Sequence, residues 1–188
     1  MSLRFSPLPT PIDGLHLLER RRIGDERGFF ARLFCAEDLA PFGWDGAAVQ
    51  INESLTRIPG TVRGLHYQNP PFAEHKLVTC VAGRVLDVAV DIRKGSPTFL
   101  QSFATELSAE NGRSLLVPRG FAHGFQALTA DVHLVYAVST PYSAEHEAAL
   151  HCLDPAIGID WPLPVVNLSP RDSGHAFITQ TFEGVALQ

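Results

Sequence analysis

The stretch RVLDVAVDI, residues 84–92, alternates without a break: Leu86, Val88, Val90 and Ile92 fall on one side of an extended chain, Val85, Asp87, Ala89 and Asp91 on the other. A period of two marks a β-strand, because successive side chains leave a pleated backbone on opposite faces. One face is apolar and the other mixed, and the turn Arg93-Lys94-Gly95-Ser96-Pro97 closes the strand. Outward from it, similar β-rich runs are expected at residues 76–81, 100–107, 114–117, 124–128 and 132–140, separated by Ala82-Gly83, Asn111-Gly112 and Pro118-Arg119-Gly120. Strands this short and numerous bury their apolar faces most economically in an antiparallel β-barrel or jelly roll, which makes the fold class all-β.

Helix is scarce, and residues 35–42 and 143–150 are the two segments expected to form short flanking helices. From Asp154 onward, Pro155, Pro162, Pro164 and Pro170 forbid a regular helix. Small apolar residues between these prolines predict an extended tail packed on the body. The 188 residues, 45% hydrophobic and 19% charged, fit a single domain over 1–188. At this length roughly 70% of the unfolded chain's surface can be buried, so neither disulfide nor metal is needed to hold a core.

Fifteen Lys plus Arg against twenty Asp plus Glu leave a net charge of −5, the wrong sign for a nucleic-acid partner. The longest apolar run, residues 134–138, is five residues long, far short of the ~20 needed to span a bilayer. The polar start, residues 1–14, offers no signal-peptide core, so a cytoplasmic protein without a membrane partner is expected. Cys35, Cys80 and Cys152 match no C-x-x-C spacing and are expected as free thiols. The run Arg20-Arg21-Arg22 reads as a solvated face.

Two histidines stand in settings that suggest more than core filling: His66 in VRGLHYQ, residues 62–68, and His123 in PRGFAHGF, residues 118–125. The second resembles the P-x-G-x-x-H element of the cupin superfamily, whose members are small jelly-roll barrels. A metal-binding cupin also supplies an H-x-H pair and a carboxylate around one ion. Here Gln68 stands two positions after His66, and Glu74 and His75 do not restore the spacing, so no metal and no cofactor are expected.

Taken in order, the motifs resemble the dTDP-4-dehydrorhamnose 3,5-epimerase family, metal-independent cupins that remodel nucleotide-linked 4-keto-6-deoxy sugars. The similarity runs from PIDG (11–14) through GDERGFF (24–30), VRGLHYQ (62–68), residues 87–99 and 107–111, PRGFAHGF (118–125), residues 136–147 and 154–162, to SPRD (169–172). It implies His66 as general base, Asp172 as the carboxylate orienting it, Tyr136 as acid on the opposite face of the sugar and Lys76 beside the enolate oxygen. It also implies substrate contacts from Arg27, Gln50, Asn52, Arg63, His123, Tyr142, Glu147 and Arg171. Arginines suit the diphosphate, and Tyr142 falls at a position that stacks on the thymine ring. The chemistry needs such a set, since inverting a carbon beside a ketone removes a proton from one face and returns one to the other. The resemblance further implies a homodimer exchanging strands in the region of residues 24–34.

Some positions depart from the family pattern. Arg32 stands where Glu is common, Arg171 where Lys is more usual, and Ala137-Val138-Ser139 replaces Lys-Thr-Thr after Tyr136. These departures bear on the identity of nucleotide or sugar more than on proton chemistry. An epimerase acting on one carbon of another nucleotide-linked 4-keto sugar, a sugar-binding cupin without activity and a metal-dependent cupin are the alternatives. Parity adds one expectation: Arg63 and His66, three apart, share a face only if Gly64 allows a bulge, failing which Arg63 reaches the ligand from the strand end or across a subunit interface.

Overall fold

A computed structural model describes residues 4–187; residues 1–3 and 188, the outermost positions of the expected domain, lie outside the described residues. In chain order the strands are β1 (Phe5–Leu8), β2 (His16–Arg20), β3 (Arg22–Asp25), β4 (Gly28–Ala31), β5 (Gln50–Thr56), β6 (Val62–Gln68) and β7 (Lys76–Ala82). They continue as β8 (Arg84–Asp91), β9 (Ser102–Ser108), β10 (Arg113–Val117), β11 (Phe121–Ala127), β12 (Val132–Val138) and β13 (Glu147–Ala149). Two short helices, α1 (Ala36–Leu39, extended by a 3-10 turn over Ala40–Phe42) and α2 (Pro170–Ser173), complete the set.

Two antiparallel sheets carry the fold, a six-stranded one ordered β1-β2-β10-β7-β12-β5 and a five-stranded one ordered β13-β6-β11-β8-β9. The hairpin β3–β4 forms a separate two-stranded ribbon. Val78, Cys80, Leu115, Val117 and Leu134 from the first sheet meet Val85, Ala89, Leu107, Phe121 and Phe125 from the second in a buried interior. This is the expected all-β jelly-roll arrangement, in which sheets close on each other through alternate side chains.

The β8 strand inverts the simplest reading of its own pattern. Its mixed face, with Val85 and Ala89, points into the interior. Its purely apolar face, with Val88, Val90 and Ile92, points outward and is covered by Leu150, Ile157 and Val185, with Trp161 and Phe182 packed alongside. The proline-rich tail is therefore the second cover of the five-stranded sheet, which explains why β8 is apolar where it leaves the barrel. A third cluster, with Leu39 and Trp44 against Leu18, Leu77, Leu116 and Ala137, seats α1 on the outside of the six-stranded sheet.

The helix expected at residues 143–150 is not formed. Those residues make a turn and then β13, whose Glu147 and Ala149 pair with Gln68 and His66 at the open edge of β6. A free sheet edge outweighs the helix preference of Glu and Ala in so short a segment. The tail does contain one helical turn, α2, because Pro170 occupies its first position, where no amide hydrogen is needed, and the Ser169 side chain caps Asp172 N. The β11 strand starts at Phe121, earlier than the expected 124.

Candidate active site

The two sheets leave a cavity of about 670 Å³ at one end of the barrel, a size that suits a small-molecule ligand. The β6 strand supplies Arg63 and His66 to its wall, and the geometry resolves the parity question. His123 pairs with His66 and Phe125 with Arg63, so two steps along β11 oppose three along β6, and the extra residue is a bulge. Gly64 sits in that bulge with φ +132°, and a Cβ there would lie 2.5 Å from Gly124 Cα. Only glycine permits this approach, and through it Arg63 and His66 both line the cavity.

His66 Nε2 donates to Asp172 Oδ1 at 2.8 Å. The carboxylate only accepts, so the proton sits on Nε2 and the lone pair on Nδ1. Burial pulls the His66 pKa below its ordinary value, the Asp172 hydrogen bond and charge oppose that shift, and Lys76 and Arg171 add to the lowering. The Asp172 side chain is held in place by α2, whose cap hydrogen bond from Asp172 N to Ser169 Oγ is 3.0 Å long.

Tyr136 comes from β12 in the opposite sheet. Its ring meets His123 edge-on at 6.3 Å between centroids, and its hydroxyl lies 3.1 Å from Ser54 Oγ. Burial pushes its pKa well above that of an ordinary phenol, the Asp87 carboxylate pushes the same way, and the Ser54 hydrogen bond and Arg63 only partly offset them. The phenol is thus protonated throughout the neutral range. His123 donates from Nε2 to Asp87 Oδ1 at 2.9 Å. Lys76, at the start of β7, donates to the His66 carbonyl at 3.3 Å and bridges the two sheets.

At the mouth, Tyr142, which is 55% exposed, donates to Glu147 Oε2 at 2.7 Å, and Glu147 is ion-paired with Arg171. Burial tends to raise the Glu147 pKa, but the hydrogen bonds from Arg171 and Tyr142 prevail and lower it. Gln50 donates to Asn52 Oδ1 at 2.8 Å on β5, beside Tyr136. Every candidate residue lines the cavity except Arg27, which is 89% exposed on the β3–β4 hairpin and paired with Asp25. The departures find local explanations. Arg32 is neutralised by Asp38 at 2.6 Å, Ala137 packs in the α1 cluster, Val138 lines the cavity and Ser139 Oγ accepts from His75 N.

Sequence reasoning missed Ser54 and Asp87. Ser54 follows Gln50 and Asn52 at intervals of two, so strand parity alone places it on their face. Asp87 stands out as a carboxylate on the inward, mixed face of β8, but nothing local names His123 as its partner. Among the described residues no three His, Cys, Asp or Glu side chains converge as a metal site would require. The thiols of Cys80 and Cys152 are pushed up to about 11 by burial, which leaves them unreactive at neutral pH.

Two facing antiparallel sheets around a cavity lined by His66, Lys76 and Tyr136 define a cupin-like jelly-roll protein. Residues 9–180 match the family model for dTDP-4-dehydrorhamnose 3,5-epimerase. A dTDP-4-dehydrorhamnose 3,5-epimerase from Sinorhizobium fredii is 51% identical over 160 residues, 85% of this chain and 82% of its own. The dTDP-6-deoxy-D-glucose-3,5-epimerase of Legionella pneumophila, solved in complex with dTDP-4-keto-L-rhamnose, is 41% identical with a TM-score of 0.91, covering 98% of this chain and 99% of that one. A 3′-monoepimerase from Streptomyces bikiniensis in complex with dTDP-quinovose is 34% identical with a TM-score of 0.83, covering 90% of this chain and 86% of that one. The chain belongs to the dTDP-4-dehydrorhamnose 3,5-epimerase family, and it is an isomerase of the epimerase type.

Proposed function

We propose that the protein inverts C-3 and C-5 of dTDP-4-dehydro-6-deoxy-D-glucose, giving dTDP-4-dehydro-L-rhamnose. The observation that carries this reading is His66 on β6 paired with Asp172 on α2, and a half-buried, protonated Tyr136 from the opposite sheet, all lining one cavity. His66 Nδ1 takes the proton from the carbon beside the ketone, and the C–H electron pair moves into the enolate with charge on the keto oxygen. Asp172 stabilises the imidazolium that forms. Lys76 offsets the enolate charge. Tyr136 then delivers its phenolic proton to the other face of the same carbon, inverting it. Solvent exchange returns His66 and Tyr136 to their starting states before the second carbon reacts.

Arg63 and Arg171 hold the diphosphate, Tyr142 stacks on the base, and Gln50, Asn52, His123 and Glu147 orient the sugar. The proton chemistry is carried by side chains alone. The protein works as a single-domain chain in a cytoplasmic homodimer. Support for the dimer comes from the β3–β4 ribbon, which exposes Ile23, Phe29 and Phe30, and from β5, which ends its sheet with a free edge. Arg27, remote from the cavity of its own chain, serves the partner's cavity. No helix among the described residues is long and apolar enough to cross a membrane.

Incubation with dTDP-4-keto-6-deoxyglucose in deuterated water tests the reading by proton NMR. Loss of signal at both carbons 3 and 5, abolished in His66→Ala, is expected. Exchange at a single carbon would mark a monoepimerase, and none in folded protein would overturn the assignment.

A further inference from the structure

Glu74 lies on the cavity wall and has no part in the chemistry above. Its side chain is only 7% exposed, and Oε1 sits 2.9 Å from Lys76 Nζ. The other oxygen, Oε2, accepts from Gln68 Nε2. Gln68 is itself fixed: its Oε1 accepts from Ser143 N at 2.6 Å, and its second N–H points at the backbone, with the Phe72 carbonyl at 3.0 Å and the Pro141 carbonyl at 3.3 Å from Nε2. Both carboxylate oxygens are therefore engaged, and the carboxylate is anchored to backbone through one side chain.

The consequence falls on Lys76. An ammonium group has three N–H donors on a flexible four-carbon stem. Glu74 holds it as an ion pair at 2.9 Å and the His66 carbonyl takes one N–H at 3.3 Å, so two fixed partners define the position of Nζ. The N–H that neither partner takes is left for a ligand in the cavity that Lys76 lines. A carboxylate placed here without such a partner would oppose both the diphosphate and the growing enolate charge. Its presence makes sense if what it contributes is position.

We propose that Glu74 is a positioning residue for the epimerisation, pinning the Lys76 ammonium so that its free N–H meets the keto oxygen. This rests on the reading of Lys76 given above as the partner of the enolate oxygen. Glu74→Asp keeps the charge balance of the pair, and so the fold, but draws the carboxylate back by one methylene. Its kcat is expected to fall at least about tenfold, since misplacement by about 1 Å can cost up to 10²-fold. Its KM and its affinity for dTDP are expected to change by less than about threefold, because the loss is confined to the transition state.

A cycle with Lys76→Met decides whether the effect passes through Lys76. If it does, the double variant Glu74→Ala with Lys76→Met, which carries neither charge, loses no more kcat than Lys76→Met alone. A double variant whose loss is the product of the two single losses overturns the proposal, as does Glu74→Asp with the kcat of the parent. Should Lys76→Met keep the parent's kcat, the reading of Lys76 itself fails; a loss in Lys76→Met with none in Glu74→Asp removes only the role of Glu74.

Discussion

Replacing Asp172 by Asn tests the heart of the proposed mechanism with almost no change of shape. Asp172 is 6% exposed and sits 2.8 Å from His66 Nε2, where it accepts a proton-bearing nitrogen. An asparagine amide can turn its NH2 toward Nε2 and donate instead. The imidazole proton then moves to Nδ1, so the atom facing the substrate carries a hydrogen and no lone pair. In the fraction that keeps the productive tautomer, the imidazolium has lost its carboxylate. A positioned general base is worth about 10²–10⁴ in rate, roughly 3–5 kcal/mol of barrier. Asp172→Asn should lose about 10³ in kcat, less than removal of His66 itself, while KM moves by less than about threefold. The pH dependence gives an independent sign. Asp172 raises the His66 pKa against the lowering by burial, so its loss shifts the acid limb of kcat/KM to lower pH. The measurement is steady-state turnover of the 4-keto sugar nucleotide from pH 5 to 9 in both proteins. A variant that retains kcat within about threefold, with its acid limb unmoved, would refute the pairing of base and carboxylate.

Two further predictions concern what holds the barrel around the site. Burial pushes the Asp91 carboxyl up, but hydrogen bonds from Arg93, Ser96 and Thr98 outweigh it and bring the pKa down to about 2 from 3.8. A depressed carboxylate stabilises the fold above its unfolded pKa and loses that contribution as pH falls through the folded value, here about 2 kcal/mol between pH 5 and pH 2. Urea unfolding of Asp91→Asn should therefore be flatter with pH by that amount, and parallel pH profiles would overturn the account. Gly64→Ala adds a Cβ that would sit 2.5 Å from Gly124 Cα and 2.9 Å from the His123 carbonyl oxygen, at a φ of +132°. The atoms it would meet are all backbone of β11, which leaves no flexible side chain to yield, so a loss of at least about 3 kcal/mol, near 10 °C in Tm, is expected in thermal melts; an unchanged Tm would show that the bulge can relax.

What the sequence made legible follows the range of the forces involved. Strand periodicity is local, so the alternation of residues 84–92 announced a β-strand on its own, and the spacing of Arg63 and His66 raised a bulge at Gly64 as one of three ways to bring Arg63 to the ligand. The destination of each face is not local. The apolar side of β8 faces outward because a tail from residues 150–185 returns to cover it, and nothing within residues 84–92 distinguishes a barrel interior from a surface that another segment will hide. The same limit accounts for β13, where the edge of β6 converts residues favouring helix into a strand. It accounts as well for Asp87, which meets His123 only because β8 and β11 are neighbours in the sheet. The cavity-lining set came through a resemblance spanning the chain, and the barrel does bring all of it but Arg27 around one space. Arg27 marks where that route meets its physical boundary: a motif preserves which residue is present, but whether its side chain serves its own cavity or another depends on the strand exchange proposed for the ribbon that carries it. That ribbon leaves Phe29 and Phe30 largely exposed on the same turn of chain, so the second copy proposed above would account for the aromatic surface and the stray arginine together.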